Sequence, residues 1–301
     1  MGYRHLIIAS PGKISVRRSQ LLISGKQDLS YPMEDIDSLL IENQQTVIST
    51  AALDALANAG VAVFICNGKH MPSAVVLPYQ HYSRKLSVLE LQINTSRPRY
   101  KNIWQQIIKR KILNQAEVLR ICKKEVESSN MLKLVSGVKS GDSTNVEGQA
   151  AAYYFMSMFT DEFHRHYDDF LNAVLDYGYA ILRGEIARTL ALYGFEPSMG
   201  IFHHSHLNKF NLADDLIEVY RPVVDLYAVE LVDAADEMGL TSEIKRDLVG
   251  LLNADVFQEK QCQPVSYAIE RTVQSYMAVL SGKEKEVKLC SILPLKLHSY
   301  E

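Results

Sequence analysis

Two stretches of the chain carry side chains whose types and spacing suit hydrolytic or phosphoryl-transfer chemistry. The first is GDSTNVEGQAAAYYF, in which a loop of Gly, Asp, Ser, Thr and Asn gives way to an alanine-rich helix. This places Glu147 in the first helical turn. Gly148, Ala150 and Ala151 around it are small enough for other backbone or a ligand to approach closely. The second stretch is GIFHHSHLNKFNLADDLIEVYRPVVD, where His203, His204 and His206 sit in a loop that runs into a helix bearing Asp214, Asp215 and Glu218. Asp215 and Glu218 are spaced i,i+3 and share one helix face. Like charges on one face repel unless a cation or a basic partner offsets them, which points to a metal. An imidazole with carboxylates suits magnesium or manganese. Plainer roles stay open for the same residues. Glu147 can serve as a helix-dipole carboxylate, Asp214 as a cap, Asp215 and Glu218 as a solvated face, and the histidines as ordinary loop residues.

The elements that must position these groups divide the chain in two. LIIAS, KISVRR, QLLIS and SLLIE read as short strands separated by the turn signals Pro11-Gly12 and Gly25. TVISTAALDALANAG then has helical spacing and stops at Gly60, and VAVFICN is a buried-strand run. Residues 1–78 are therefore expected as a strand-rich domain with one helix, and residues 79–98, polar, basic and bounded by Pro78 and Pro98, as a linker. From residue 99 to 301 the pattern is helical, with conspicuous loops at 130–146 and 194–211. The expected fold class is α+β, a small N-terminal β-rich domain followed by a larger all-α one.

Charge is unevenly distributed. The net charge is only −3, yet between residues 84 and 124 eleven basic residues stand against Glu90 and Glu117. Such a segment suits sequence-independent phosphate contacts. Arg84, Arg97 and Arg99, in a loop near Pro98, are the favoured contacts because guanidinium binds phosphate bidentately. For Lys109, Arg110, Lys111, Lys123 and Lys124 a solvated helix face is an equal alternative. The 301 residues, 47% hydrophobic, can fill a real core. No run nears the roughly 20 apolar residues of a membrane span, and no secretory signal opens the chain. The four cysteines are far apart, form no C-x-x-C pair and suit a reducing compartment, so the cytoplasm is the expected location.

The blocks GDSTNVEGQAAAYYF, LNAVLDYGYAILRGEIARTLALYGFEPSMG and GIFHHSHLNKFNLADDLIEVYRPVVD resemble, in order and spacing, the universal CRISPR-associated integrase family. IDSLLIENQQTVISTAALDALANAGVAVFICN looks like that family's N-terminal domain, so the resemblance is nearly whole-chain. FNLADDLIEVYRP is most similar to versions from systems with a single large effector nuclease. The resemblance implies a metal-dependent DNA endonuclease and integrase that joins 3′-hydroxyl ends of captured DNA to the CRISPR repeat by transesterification. It implies Mg2+ or Mn2+ held by Glu147, His203 and Glu218, with Asp215 as an auxiliary residue; His204 does not match the ligand position and is kept as an auxiliary candidate from its place in the loop, and Arg221, about one helical turn after Glu218, can pair with either carboxylate. It also implies double-stranded DNA as partner, a homodimer, and a small second Cas subunit bridging two dimers. A stand-alone structure-selective nuclease and a non-catalytic DNA-binding scaffold are the competing functions.

Overall fold

The computed structural model describes residues 4–68, 71–76, 78, 85–159, 165, 167, 169–232 and 239–299. The N-terminal region runs through strands β1 (Arg4–Ile8), β2 (Lys13–Arg17), β3 (Gln20–Ser24), β4 (Leu29–Pro32), β5 (Ile36–Ile41) and β6 (Val47–Ile48). Helix α1 (Thr50–Asn58), β7 (Ala62–Cys66) and β8 (Pro72–Val76) follow. They form two four-stranded sheets, ordered β1-β5-β7-β8 and β4-β3-β2-β6. In the first, β1, β5 and β7 are parallel and β8 is antiparallel to β7. Ser49 starts α1 by accepting a 3.2 Å hydrogen bond from the Ala52 amide, a cap that satisfies an otherwise orphaned donor.

All six residues of β5 are buried, because the first sheet is covered on both faces. Leu39, Ile41 and Val63 join Ile14, Leu21 and Leu56 in a core confined to the N-terminal region. Leu40, Ala62, Phe64 and Cys66 belong instead to the main core of the helical region. The alternation of a strand thus feeds two cores at once.

The helical region comprises α2 (Lys85–Asn94), α3 (Arg97–Ile121), α4 (Glu125–Val135), α5 (Val146–Met158), α6 (Phe170–Leu192), α7 (Asn211–Leu216), α8 (Arg221–Val232), α9 (Ser242–Gly250) and α10 (Val265–Leu280). α3 runs through its middle, packed against α4, α5, α8 and the turn after α7. Two expectations change here. The 79–98 stretch read as a linker contains α2, and Arg97 and Arg99 lie in the first turn of α3 rather than in a loop. The C-terminal third is not all helix: β9 (Ala254–Gln258), β10 (Gln261–Pro264) and β11 (Ser291–Leu297) form an antiparallel sheet ordered β10-β9-β11. Among the described residues no helix is long and apolar enough to cross a membrane.

The two regions meet at α6. The Phe64 ring occupies the space a side chain at Gly184 would need, since a Cβ there would come within 1.9 Å of it, so only glycine allows this approach. Beside it lies a buried polar cluster. Arg188 of α6 donates to both carboxylate oxygens of Glu185 and to the Gly60 carbonyl, and lies 3.8 Å from Asp37. His5 bonds Ser38 Oγ at 2.7 Å in the same cluster. Burial lowers the His5 pKa below its usual 6.5, outweighing the opposing pull of Asp37. A depressed histidine contributes stability above pH about 6.5 that is lost as pH falls through the folded value, because the unfolded chain takes up the proton first. We expect His5→Asn to flatten the loss of thermal stability as pH falls below about 6.5. An unchanged slope in calorimetry would contradict this assignment.

Candidate active site

Glu147 is the second residue of α5, and the loop before it is built to place it there. Asp142 accepts hydrogen bonds from the Val146 and Glu147 amides, both at 2.9 Å, and Asn145 caps the Gly148 amide from a left-handed conformation (φ 52°). Gly141 precedes them at φ 71°, a backbone geometry that favours glycine. The helix start thus has acceptors for its free amides, and the Glu147 side chain points at α3.

Glu218 lies in the short 3-10 turn, Ile217–Val219, between α7 and α8. Asn114 of α3 pins this turn by donating to the Val219 carbonyl at 2.9 Å and to the Cys290 carbonyl at 3.2 Å. Arg221 Nε donates to Glu218 Oε1 at 2.9 Å, and its guanidinium stacks 4.5 Å over the Tyr179 ring. Lys111, on the buried face of α3, bridges the two glutamates. Its Nζ donates to Glu147 and lies 2.5 Å from Glu218 Oε2. Burial pushes the Glu218 carboxyl up, but Lys111 and Arg221 outweigh it and hold the pKa at about 2. The same two glutamates raise Lys111 against its own desolvation.

His203 is held from the other side. Asp215, fully buried, accepts from the amides of Ile201, Phe202 (3.0 Å) and His203 (3.2 Å), and from His203 Nδ1 at 2.7 Å. A carboxylate that gathers three amides fixes the loop like a helix cap. Gly200 permits the turn, since a Cβ there would meet the His203 carbonyl at 2.1 Å. Phe202 stacks on Trp104 with centroids 4.5 Å apart, and the His203 ring stands edge-on to both. The bond to Asp215 raises the His203 pKa above 6.5, with Glu218 adding to it. With Nδ1 committed, Nε2 is left for a ligand.

The structure therefore brings Glu147 and Glu218 to one cation and sets His203 within electrostatic reach of Glu218. Among the described residues no three His, Cys, Asp or Glu side chains already converge as a metal cage. The ammonium of Lys111 stands between the two glutamates. The repulsion expected between Asp215 and Glu218 is offset without a shared cation: Asp215 is satisfied by amides and His203, and Glu218 by Lys111 and Arg221. His204 and His206 are exposed and line an open cleft of about 550 Å³ with Arg97, Tyr100 and Ser198. Arg99 bonds the Leu280 carbonyl at 2.8 Å, and Arg84 lies outside the described residues.

Lys111, Trp104, Asn114 and Asp142 escaped the sequence reading. Lys111, for which phosphate contact and a solvated helix face are the two sequence expectations, is instead 6% exposed. A signal existed, because it falls seven residues after Trp104 and four after Ile107, in phase with the apolar stripe of α3. Because Asp215 carries the His203 loop, we expect Asp215→Ala to leave buried amides unpaired and to cost about 3 kcal/mol or more. A loss under about 1 kcal/mol in urea unfolding would show that the loop stands without it.

Partly exposed Glu147 and buried Glu218 thus meet at Lys111, with a histidine fixed by a carboxylate and an arginine-bearing cleft on the same strand-rich and helical frame. The profile of the family described as CRISPR associated protein Cas1 matches residues 6–237, and the chain belongs to that family. The CRISPR-associated endonuclease Cas1 of Neisseria meningitidis serogroup C (strain 8013) is 42% identical over 304 residues, covering all of both chains. A casposase bound to integration product shares the fold with a TM-score of 0.77 at 21% identity, over 94% of this chain and 91% of its own. A chain of a partial Cas6-RT-Cas1–Cas2 complex does so at 0.61 and 20% identity, over 95% and 97%.

Proposed function

We propose that this protein is a metal-dependent DNA integrase and endonuclease of CRISPR adaptation. The observation that carries this reading is the convergence of Glu147 and Glu218 on a single buried cation, with His203, whose ring bonds Asp215, within electrostatic reach of Glu218. Family membership, the endonuclease relative and the casposase neighbour support it.

The donor set fits a hard divalent ion. Two carboxylates and a neutral imidazole nitrogen suit Mg2+ or Mn2+, and buried Glu218 Oε2 has no well-directed hydrogen bond although Lys111 is near. Glu147, Glu218 and His203 Nε2 are the residues that would hold the ion. When bound, it supplies charge neutralisation at the phosphodiester and lowers the pKa of the attacking hydroxyl. The chain's own residues do the rest. Arg221 keeps Glu218 ionised and oriented, Asp215 holds His203 with Nε2 free, and Asn114 fixes the turn that carries Glu218. A 3′-hydroxyl of captured DNA attacks phosphorus at the repeat edge, forming one P–O bond as the backbone P–O3′ bond breaks and leaves a free 3′-hydroxyl. Water as the attacker gives nuclease activity at the same site.

Exposed Arg97, in the cleft with His204 and His206, is suited to phosphate contact. We assign the protein to the cytoplasm as a homodimer, with a small Cas2-like subunit bridging two dimers; the Cas1–Cas2 neighbour supports the Cas2-like partner. A mass near 34 kDa in light scattering at micromolar concentration would overturn the dimer. The activity is tested by mixing protein, Mn2+, a supercoiled repeat plasmid and a short duplex with free 3′ ends. Covalent joining at the repeat edge is expected. Cleavage alone would leave a nuclease, and a band shift without chemistry a DNA-binding scaffold.

A further inference from the structure

The active-site cluster contains a cation that the proposed reaction does not use. Lys111 is 6% exposed, emerges from the core face of α3, and contacts both glutamates. Glu218 does not depend on it alone, because Arg221 separately holds Oε1 at 2.9 Å. Glu147 is the more exposed partner and, besides Lys111, has no other ion pair among the described residues.

We propose that Lys111 is a resident counter-ion of the glutamate pair: its ammonium holds Glu147 and Glu218 together in the gap that a divalent ion takes, and a divalent ion must displace it to enter. This inference rests on the metal-site reading above. Two carboxylates facing each other in a buried site repel and splay or take up a proton unless a positive charge sits between them. The lysine supplies that charge in the metal-free protein and keeps the ligands near their working positions. A divalent ion carries twice the charge but cannot share the gap with an ammonium without strong repulsion. The flexible four-carbon stem lets the ammonium swing aside, whereas a rigid guanidinium fork could not do so as readily. Arg221 meanwhile keeps Glu218 in place. Lys111 is thus a positioning residue that both preforms the site and sets the concentration of metal needed to load it.

The test is calorimetric titration of Mn2+ into the full-length protein without DNA, together with melting temperatures in the presence and absence of Mn2+. Lys111→Met should bind Mn2+ at least about tenfold more tightly than the native protein, because the competing charge is gone. Without metal it should melt below the native protein, and saturating Mn2+ should raise its melting temperature by more. Lys111→Arg, which keeps the charge, should stay within about threefold of the native affinity or bind more weakly. Should Lys111→Met not fold without metal, Lys111→Gln is read in the same way, with the same direction expected. Equal or weaker Mn2+ binding by the uncharged variants overturns the proposal. Glu147→Gln separates this from failure of the metal site. If the native protein shows no Mn2+ binding that Glu147→Gln weakens, the metal-site reading falls. If that binding is present but indifferent to Lys111, only the displacement idea falls.

Discussion

Alanine at Glu147, Glu218 or His203 should each lower strand joining by about a thousandfold or more, because each removes a proposed holder of the same divalent ion. The three losses should not multiply when combined, since groups that act as a unit are non-additive. Fold and DNA binding should survive. Glu147 is partly exposed and anchored through its backbone to Asp142, so its alanine variant should keep nearly its native melting temperature. Glu218→Ala should be less stable, because Lys111 and Arg221 both lose a buried partner. His204→Ala should change joining only a few-fold, because the exposed His204 ring lies in the cleft while His203 is the ring held by Asp215. A quantitative joining assay at saturating Mn2+, with gel-shift affinity measured in parallel, checks all of these. If His204→Ala abolishes joining while His203→Ala does not, the assignment of the ligand histidine is off by one residue.

The largest loss of stability is expected from Arg188→Ala. That guanidinium is 3% exposed and neutralises Glu185, itself fully buried, with Asp37 nearby and the Gly60 carbonyl as a further partner. Removing it strands two buried carboxylates at the junction of the two regions, which typically costs about 3–5 kcal/mol. Burial already pushes Glu185 up to about 7 even with Arg188 beside it. Without the arginine, its remedy is to stay protonated, so the variant should recover part of its stability as pH is lowered. Urea unfolding at two pH values reads both effects. Arg188→Met combined with Glu185→Met, an apolar pair of similar volume, should regain much of the loss. A single-variant loss below about 1 kcal/mol would mean that the cluster is hydrated and contributes little to joining the regions.

Much of the candidate site follows from local chemistry. A loop of Asp, Ser, Thr and Asn followed by an alanine-rich run can hardly do other than start a helix and so places Glu147 in its first turn, whereas the capping roles of Asp142 and Asn145 appear only in the structure. The spacing of Gly200, His203 and Asp215 put those residues in one loop and the helix after it, although not in contact. The division into a strand-rich start and a helical remainder was equally legible, because a period of two and a period of 3.6 are both short-range patterns.

What the sequence left open depends on partners far away along the chain. The turns Arg18-Ser19 and Glu259-Lys260 join β-hairpins with positive φ at both residues, yet they lack the Asn or Gly that normally marks such a turn. β2 and β3 still declare themselves by their apolar runs, whereas β9 and β10 are too short and polar to interrupt a helical reading, and β11 acquires its strand pairing from β9. Lys111 reads as a surface lysine until two glutamates, 36 and 107 residues away, are folded onto it. Asp215 reads as half of a metal-binding pair until the amides of Ile201, Phe202 and His203 claim it. The sequence by itself determined which residues were available for chemistry and which elements would carry them. Tertiary structure decided which charges meet, because a buried charge takes its role from the partner that satisfies it, and that partner is chosen by packing.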